Sequence, residues 1–105
     1  MTDLEISKTL ALAIGWKPEQ IRIPVAPRDG MKMEIAANYG DYWRVFDYRD
    51  WNVIGPIAER YDCFPKKNPF TGLWVAVYCD GEILIERIAG TPQKAIALAF
   101  IGELK

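Results

Sequence analysis

The chain has no histidine, which removes the commonest general base and the commonest metal ligand. It has only two cysteines, Cys63 and Cys79, too few for a disulfide framework and without CxxC spacing. A tetrahedral zinc site is not expected from such a set. The two thiols are expected to be small buried hydrophobes in a reducing cytosol, with a single disulfide as the minority alternative. No charge sign dominates: 13 basic residues stand against 14 acidic ones, a net charge of −1. That balance argues against a dedicated nucleic-acid binder and equally against an acidic nucleic-acid mimic. The glycines form neither GxGxxG nor GxxxxGK[ST], and no GxSxG elbow is present, so phosphate-cradling loops and an esterase nucleophile are not expected. The apolar run Ala95–Ile101 falls far short of the ~20 residues of a membrane span. The N-terminus carries Asp3 and Glu5 rather than a basic stretch, so no signal peptide is expected and the cytoplasm is the expected compartment.

What is there fits one globular domain over residues 1–105: half the residues are apolar and 26% are charged. Thr2-Asp3-Leu4-Glu5 reads as a capping box opening a helix. Leu4, Ile6, Leu10, Ala11, Ala13 and Ile14 fill its apolar side, with Ser7, Lys8 and Thr9 outward. Gly15 is placed to end it, Trp16 to close the end, and Pro18 to prevent continuation. Ile21, Ile23 and Val25, then Met31, Met33 and Ile35, alternate with polar residues or proline around the turn Ala26–Gly30, as in a hairpin with a longer loop. Pro24 confines its first arm to an edge or to irregular structure.

Residues 39–51 hold six aromatics among charged residues. Tyr42–Phe46 has strand composition. Asp50 or Asn52 then caps a helix to about Tyr61, with Pro56 accommodated if that helix starts near Val53. Asp62–Gly72 reads as a loop containing Lys66-Lys67. Asp80-Gly81 between two apolar runs predicts a hairpin with a type I′ turn. Closure on those two residues pairs Cys79 with Glu82, Tyr78 with Ile83, Val77 with Leu84, Ala76 with Ile85 and Trp74 with Arg87, the last as a guanidinium-on-indole stack. One face then carries Leu73, Val75, Val77, Leu84 and Ile88, the other Trp74, Ala76, Tyr78, Ile83 and Ile85. Neither face is polar, so both are expected to be covered. Thr91-Pro92 opens a last helix, apolar all round and therefore fully packed.

The carboxylate pairs Asp47 with Asp50 and Glu82 with Glu86 read as caps and solvated strand positions, so no catalytic residue is assigned. In the aromatic stretch Trp43, Phe46 and Trp51 read as core, while Tyr39, Tyr42, Arg44, Tyr48 and Arg49 are the candidate partner-binding residues, being the types enriched at binding hot spots. Three aspartates in the same stretch weaken a base-stacking reading.

Gly72-Leu-Trp74-Val-Ala76, Ala89-Gly-Thr-Pro92 and Ala95-Ile-Ala-Leu-Ala99, together with Ile14-Gly15-Trp16, resemble the small phage and prophage proteins of the phage ABA sandwich domain family. The resemblance spans about 70 of the residues and implies a phage or prophage origin and α/β/α layering. It carries no catalytic or ligand residue. The expected fold is a single-domain α+β, α/β/α-type sandwich, its sheet mixed or antiparallel with helices packed on both faces. The expected function is that of a non-enzymatic phage accessory protein in the host cytoplasm. It is expected to bind a host or phage protein, with inhibition of a bacterial defence system such as CRISPR-Cas as the expected form of that role. The alternative is a homo-oligomeric protein that sequesters a small nucleotide. No cofactor or metal is expected, and a homodimer is left open.

Overall fold

The computed structural model describes residues 2–22, 34–36 and 43–102. They form three helices and two three-stranded antiparallel sheets, an α+β fold. Backbone contacts group the chain into two compact units that meet in sequence between Asp47 and Tyr48.

In the first unit α1 (Asp3–Ala13) begins at the predicted capping box. The Glu5 amide donates to Thr2 Oγ1 and the Thr2 amide donates to Glu5 Oε1, both at 3.1 Å. The Thr2 amide, then its hydroxyl, holds the Glu5 carboxyl below its usual pKa. At the other end the Trp16 amide donates to Ala11 O and the Gly15 amide to Leu12 O, a Schellman motif that needs the positive φ of 112° at Gly15. Ile6, Ser7, Leu10 and Ala11 are buried. Ser7 therefore lies inward, contrary to expectation: it sits beside Ile6 and one turn before Leu10 and Ala11 on the same stripe.

Strands β1 (Ile21–Arg22), β2 (Glu34–Ala36) and β3 (Trp43–Val45) pair in that order, Ile21 opposite Ile35 and Ile35 opposite Arg44. The expected hairpin is thus present at its base. Its Ile23–Met33 portion, with Pro24 and the turn, lies outside the described residues, as does Tyr39. The Arg22 guanidinium stacks over the Trp43 ring at 4.4 Å.

The second unit starts with α2 (Trp51–Tyr61), capped by Asp50, whose carboxylate accepts the Asn52 amide at 2.9 Å. Because the helix starts at Trp51, Pro56 lies in its interior, where it removes one helical hydrogen bond. Trp51 is exposed rather than part of the core, since the first residue of α2 projects before the buried stripe of Ile54, Ile57 and Ala58. Next come β4 (Lys66–Lys67), β5 (Trp74–Asp80), β6 (Ile83–Ala89) and α3 (Pro92–Ile101). The lysine pair, expected in a loop, is the short edge strand β4, with Lys66 opposite Val75 and Lys67 opposite Trp74. Lysine at a short edge blunts open-ended strand pairing.

The β5–β6 hairpin closes one residue later than expected. Asp80 pairs with Ile83, so the two loop residues are Gly81 and Glu82. Gly81 has φ of 66° and, among the described residues, Asp62 is the one non-glycine with positive φ. A positive φ at the first loop position alone is a type II′ turn, not type I′. The register moves by two: Tyr78 faces Ile85, Ala76 faces Arg87 and Trp74 faces Ala89. Trp74 and Arg87 are therefore not directly opposed. A shift of two leaves each side chain on its predicted face.

Helix α3 begins as read from Thr91-Pro92, with the Thr91 hydroxyl accepting the Lys94 amide at 3.2 Å. Ala95 and Ala99 lie against Ala76 and Ala89, flanked by Trp74, Tyr78 and Leu98. Small residues on both sides let helix and sheet approach closely. Phe100 packs between Tyr61 and Tyr78, with ring centroids 4.3 and 5.2 Å away. The Gln93 side-chain amide donates to Arg49 O at 3.2 Å, tying α3 to the turn before α2.

Candidate functional site

The β4–β5–β6 sheet has an inner face, carrying Trp74, Ala76, Tyr78 and Ala89, which α3 covers. Alternation along the paired strands places Val75, Val77, Cys79, Leu84, Glu86 and Ile88 on the other side. This outer face was expected to be covered as well. Instead Leu84 is 70% exposed, Ile88 55% and Val77 38%. Within this unit α2 packs against α3 rather than beneath the sheet, so no helix of the unit reaches the outer side.

The register sets the layout of that face. Lys66, Val75 and Ile88 form one row across the three strands; Val77 and Glu86 form the next; Cys79 and Leu84 form the row beside the turn. A contiguous apolar strip is thus framed by a cation on one edge strand and a carboxylate on the other. Cys79 is exposed here, which corrects the expectation that both cysteines are buried: its strand position points it to the uncovered side. Its thiol lies 3.1 Å from Gly81 O. Cys63, by contrast, is buried after α2, and desolvation, with a smaller contribution from Asp62, pushes its pKa up to about 11. Both thiols are free, so the single disulfide does not form.

At the opposite end of β5 from the turn, the Asn68–Leu73 loop is built on one side chain. Asn68 Oδ1 accepts the Phe70 amide at 2.8 Å and the Thr71 amide at 3.3 Å. The backbone closes the loop twice: the Asn68 amide donates to Leu73 O and the Gly72 amide to Asn68 O, both at 2.8 Å. This Asx-turn geometry holds the tip in one conformation. Phe70 at that tip is 95% exposed. An aromatic presented on an ordered loop loses little entropy on binding.

Among the described residues expected to bind a partner, none belongs to the β4–β5–β6 sheet. Arg44 is an exposed residue of β3 in the first unit. Tyr48 and Arg49 belong to the second unit. Tyr48 is 2% exposed, so its ring is core and not a surface anchor. Arg49 is exposed at the turn before α2. Tyr42 lies outside the described residues. Sequence reasoning did place Leu84, Ile88 and Val77 on a common face; what it missed was that the face is left open. The signal available was helix supply: the two helices after residue 50 are used on one side of their sheet.

Among the described residues no group of three or more His, Cys, Asp or Glu is placed to hold a metal ion. No helix of the described residues is long and apolar enough to cross a membrane. No protein-family model matches the chain, and no curated protein matches it.

Proposed function

We propose that this protein acts through protein–protein contact made by the outer face of the β4–β5–β6 sheet. The observation that carries the reading is the exposure of Leu84, Ile88 and Val77 side by side on a paired, well-formed sheet. Contiguous exposed apolar area rimmed by polar groups marks interaction surfaces. Glu86 and Lys66 supply such a rim, and Phe70 adds an exposed aromatic on an ordered loop. The resemblance of Gly72–Ala76 and Ala89–Ala99 to phage ABA sandwich proteins supports a phage or prophage accessory role. Inhibition of a host defence system such as CRISPR-Cas is the leading form of that role, carried out without chemistry of its own.

The test is quantitative binding to a purified defence complex. Leu84→Glu places a charge on the most exposed apolar residue of the face, in the row beside the turn, and should weaken binding at least tenfold. Arg49→Ala, off the face, should change it less than threefold. Equal binding by wild type and Leu84→Glu, with the variant folded, would show that the face is not the contact.

A further inference from the structure

We infer that the outer face of the β4–β5–β6 sheet pairs face to face with the same face of a second copy of this chain, about a twofold axis running along β5. The inference rests on the binding role proposed for this face and names the second copy as what covers it when no other partner is bound. The layout of charge selects both the partner and the axis. Two sheets packed face to face lie about 10 Å apart, with side chains from both filling the gap. Two twofold axes in that gap keep the strands of the facing sheets aligned, one across the strands and one along them. An axis across the strands stacks β4 on β4 and β6 on β6. Centred on the Val77 row it sets Glu86 against Glu86, centred on the Val75 row it sets Lys66 against Lys66, and wherever it is centred it holds Lys66 and Glu86 of the partner subunit at opposite edges. Like charges brought together at an interface oppose it.

An axis along β5 does the reverse. It stacks β5 on its own copy and lays β4 over the partner's β6. Val75 then meets Val75 of the partner subunit, and Val77 meets Val77 of the partner subunit. Lys66 stands over Ile88 of the partner subunit, one row from Glu86 of the partner subunit. With rows about 7 Å apart and sheets about 10 Å apart, the two Cα atoms are about 12 Å apart, a span the lysine and glutamate side chains cover together. Each interface then holds two symmetry-related Lys66–Glu86 contacts at its rim and an apolar strip between them. The face is therefore self-complementary, as an isologous contact requires.

Size sets the strength. Two seven-residue strands and the two-residue β4 give a footprint of at most about 23 by 14 Å. That is at the small end of specific interfaces, below the ~1,200 Å² of total buried surface typical of stable ones. The dimer accordingly dissociates on dilution. On the chosen axis the two exposed Cys79 thiols lie across from each other on facing central strands, close enough for a short bismaleimide but too far apart, at the inter-sheet spacing, for an unstrained disulfide.

Sedimentation equilibrium of the full chain, from low-micromolar to near-millimolar concentration, tests this. Wild type should shift from monomer to dimer mass across the series. Leu84→Glu should remain monomeric, with unchanged circular dichroism and melting temperature as evidence of folding. Lys66→Glu and Glu86→Lys should each weaken dimerisation about tenfold, and Lys66→Glu/Glu86→Lys should recover most of it. Bismaleimide should cross-link wild type into a dimer and leave Cys79→Ser monomeric. A wild type that is monomeric throughout, a dimer that Leu84→Glu does not disrupt, or charge variants whose reversal brings no recovery would each overturn the inference. If wild type is monomeric but Leu84→Glu still abolishes binding to the defence complex, self-pairing fails while the binding role of the face stands.

Discussion

Truncating Phe100 and Phe70 to alanine makes the same chemical change at two sites, and the fold predicts opposite outcomes. Phe100 is buried on α3, its ring against Tyr61 at 4.3 Å and Tyr78 at 5.2 Å. Removing it leaves a cavity between α2, α3 and β5 that two remaining aromatic rings cannot fill by small shifts. A buried Phe→Ala change costs about 3–5 kcal/mol. Of this, each lost ring pair accounts for roughly 0.5–1.5 kcal/mol beyond area. Set against a total stability of about 5–15 kcal/mol, the variant is close to unfolding at room temperature. Phe70 projects into solvent from the loop tip, and its truncation should stay within about 0.5 kcal/mol. The assay is urea denaturation followed by tryptophan fluorescence. With a slope of about 2 kcal/mol per molar, Phe100→Ala should lower the midpoint by about 2 M and Phe70→Ala by less than about 0.3 M. Equal effects at the two positions, or a Phe100→Ala cost below about 1 kcal/mol at unchanged slope, would refute this account of the core.

Four further outcomes are expected. Gly81→Val forces a β-branched residue into a φ of 66° and should cost about 1–3 kcal/mol by the same urea titration; a neutral result would mean that the β5–β6 loop relaxes into another turn. Pro56→Ala restores a helical hydrogen-bond donor inside α2 and should raise the midpoint by up to about 3 kcal/mol in equivalent stability, whereas a loss would show that the ring itself is needed there. Iodoacetamide should label Cys79 promptly and Cys63 only on unfolding. Because the folded Cys63 pKa is raised from 9.0 to about 11, its contribution to stability is intact below pH 9 and falls as pH rises from 9 through 11; loss of stability on lowering the pH through that window would contradict the sign.

Local signals were the legible part of this fold. The Thr2–Glu5 capping box, the Gly15 helix end and the Thr91-Pro92 start all rest on contacts within four or five residues, and all three form as read. The two faces of the β5–β6 hairpin were also legible, because alternation survives a register shift of two. The register itself was not, since Asp80-Gly81 and Gly81-Glu82 both supply a glycine where positive φ is wanted and differ only in turn type. Tertiary placement was less accessible still. Tyr48 and Trp51 lie three residues apart with similar composition around them, yet one is buried and the other exposed. Lys66-Lys67 pairs with β5 through a loop closed by Asn68, a hairpin that two charged residues beside prolines do not announce. The candidate site followed the same logic: residue type drew attention to Tyr42–Arg49, while the open face depends on where α2 and α3 pack.

The central claim is that the outer face of the β4–β5–β6 sheet makes the protein's contacts. The most direct measurement immobilises wild type, Leu84→Glu and Arg49→Ala at equal density and reads the binding of soluble wild-type chain and of purified defence complexes by surface plasmon resonance. The account predicts that Leu84→Glu loses binding of every analyte that wild type and Arg49→Ala retain. Retention by Leu84→Glu together with loss by Arg49→Ala, both variants being folded, would contradict it and return the contact to the turn before α2.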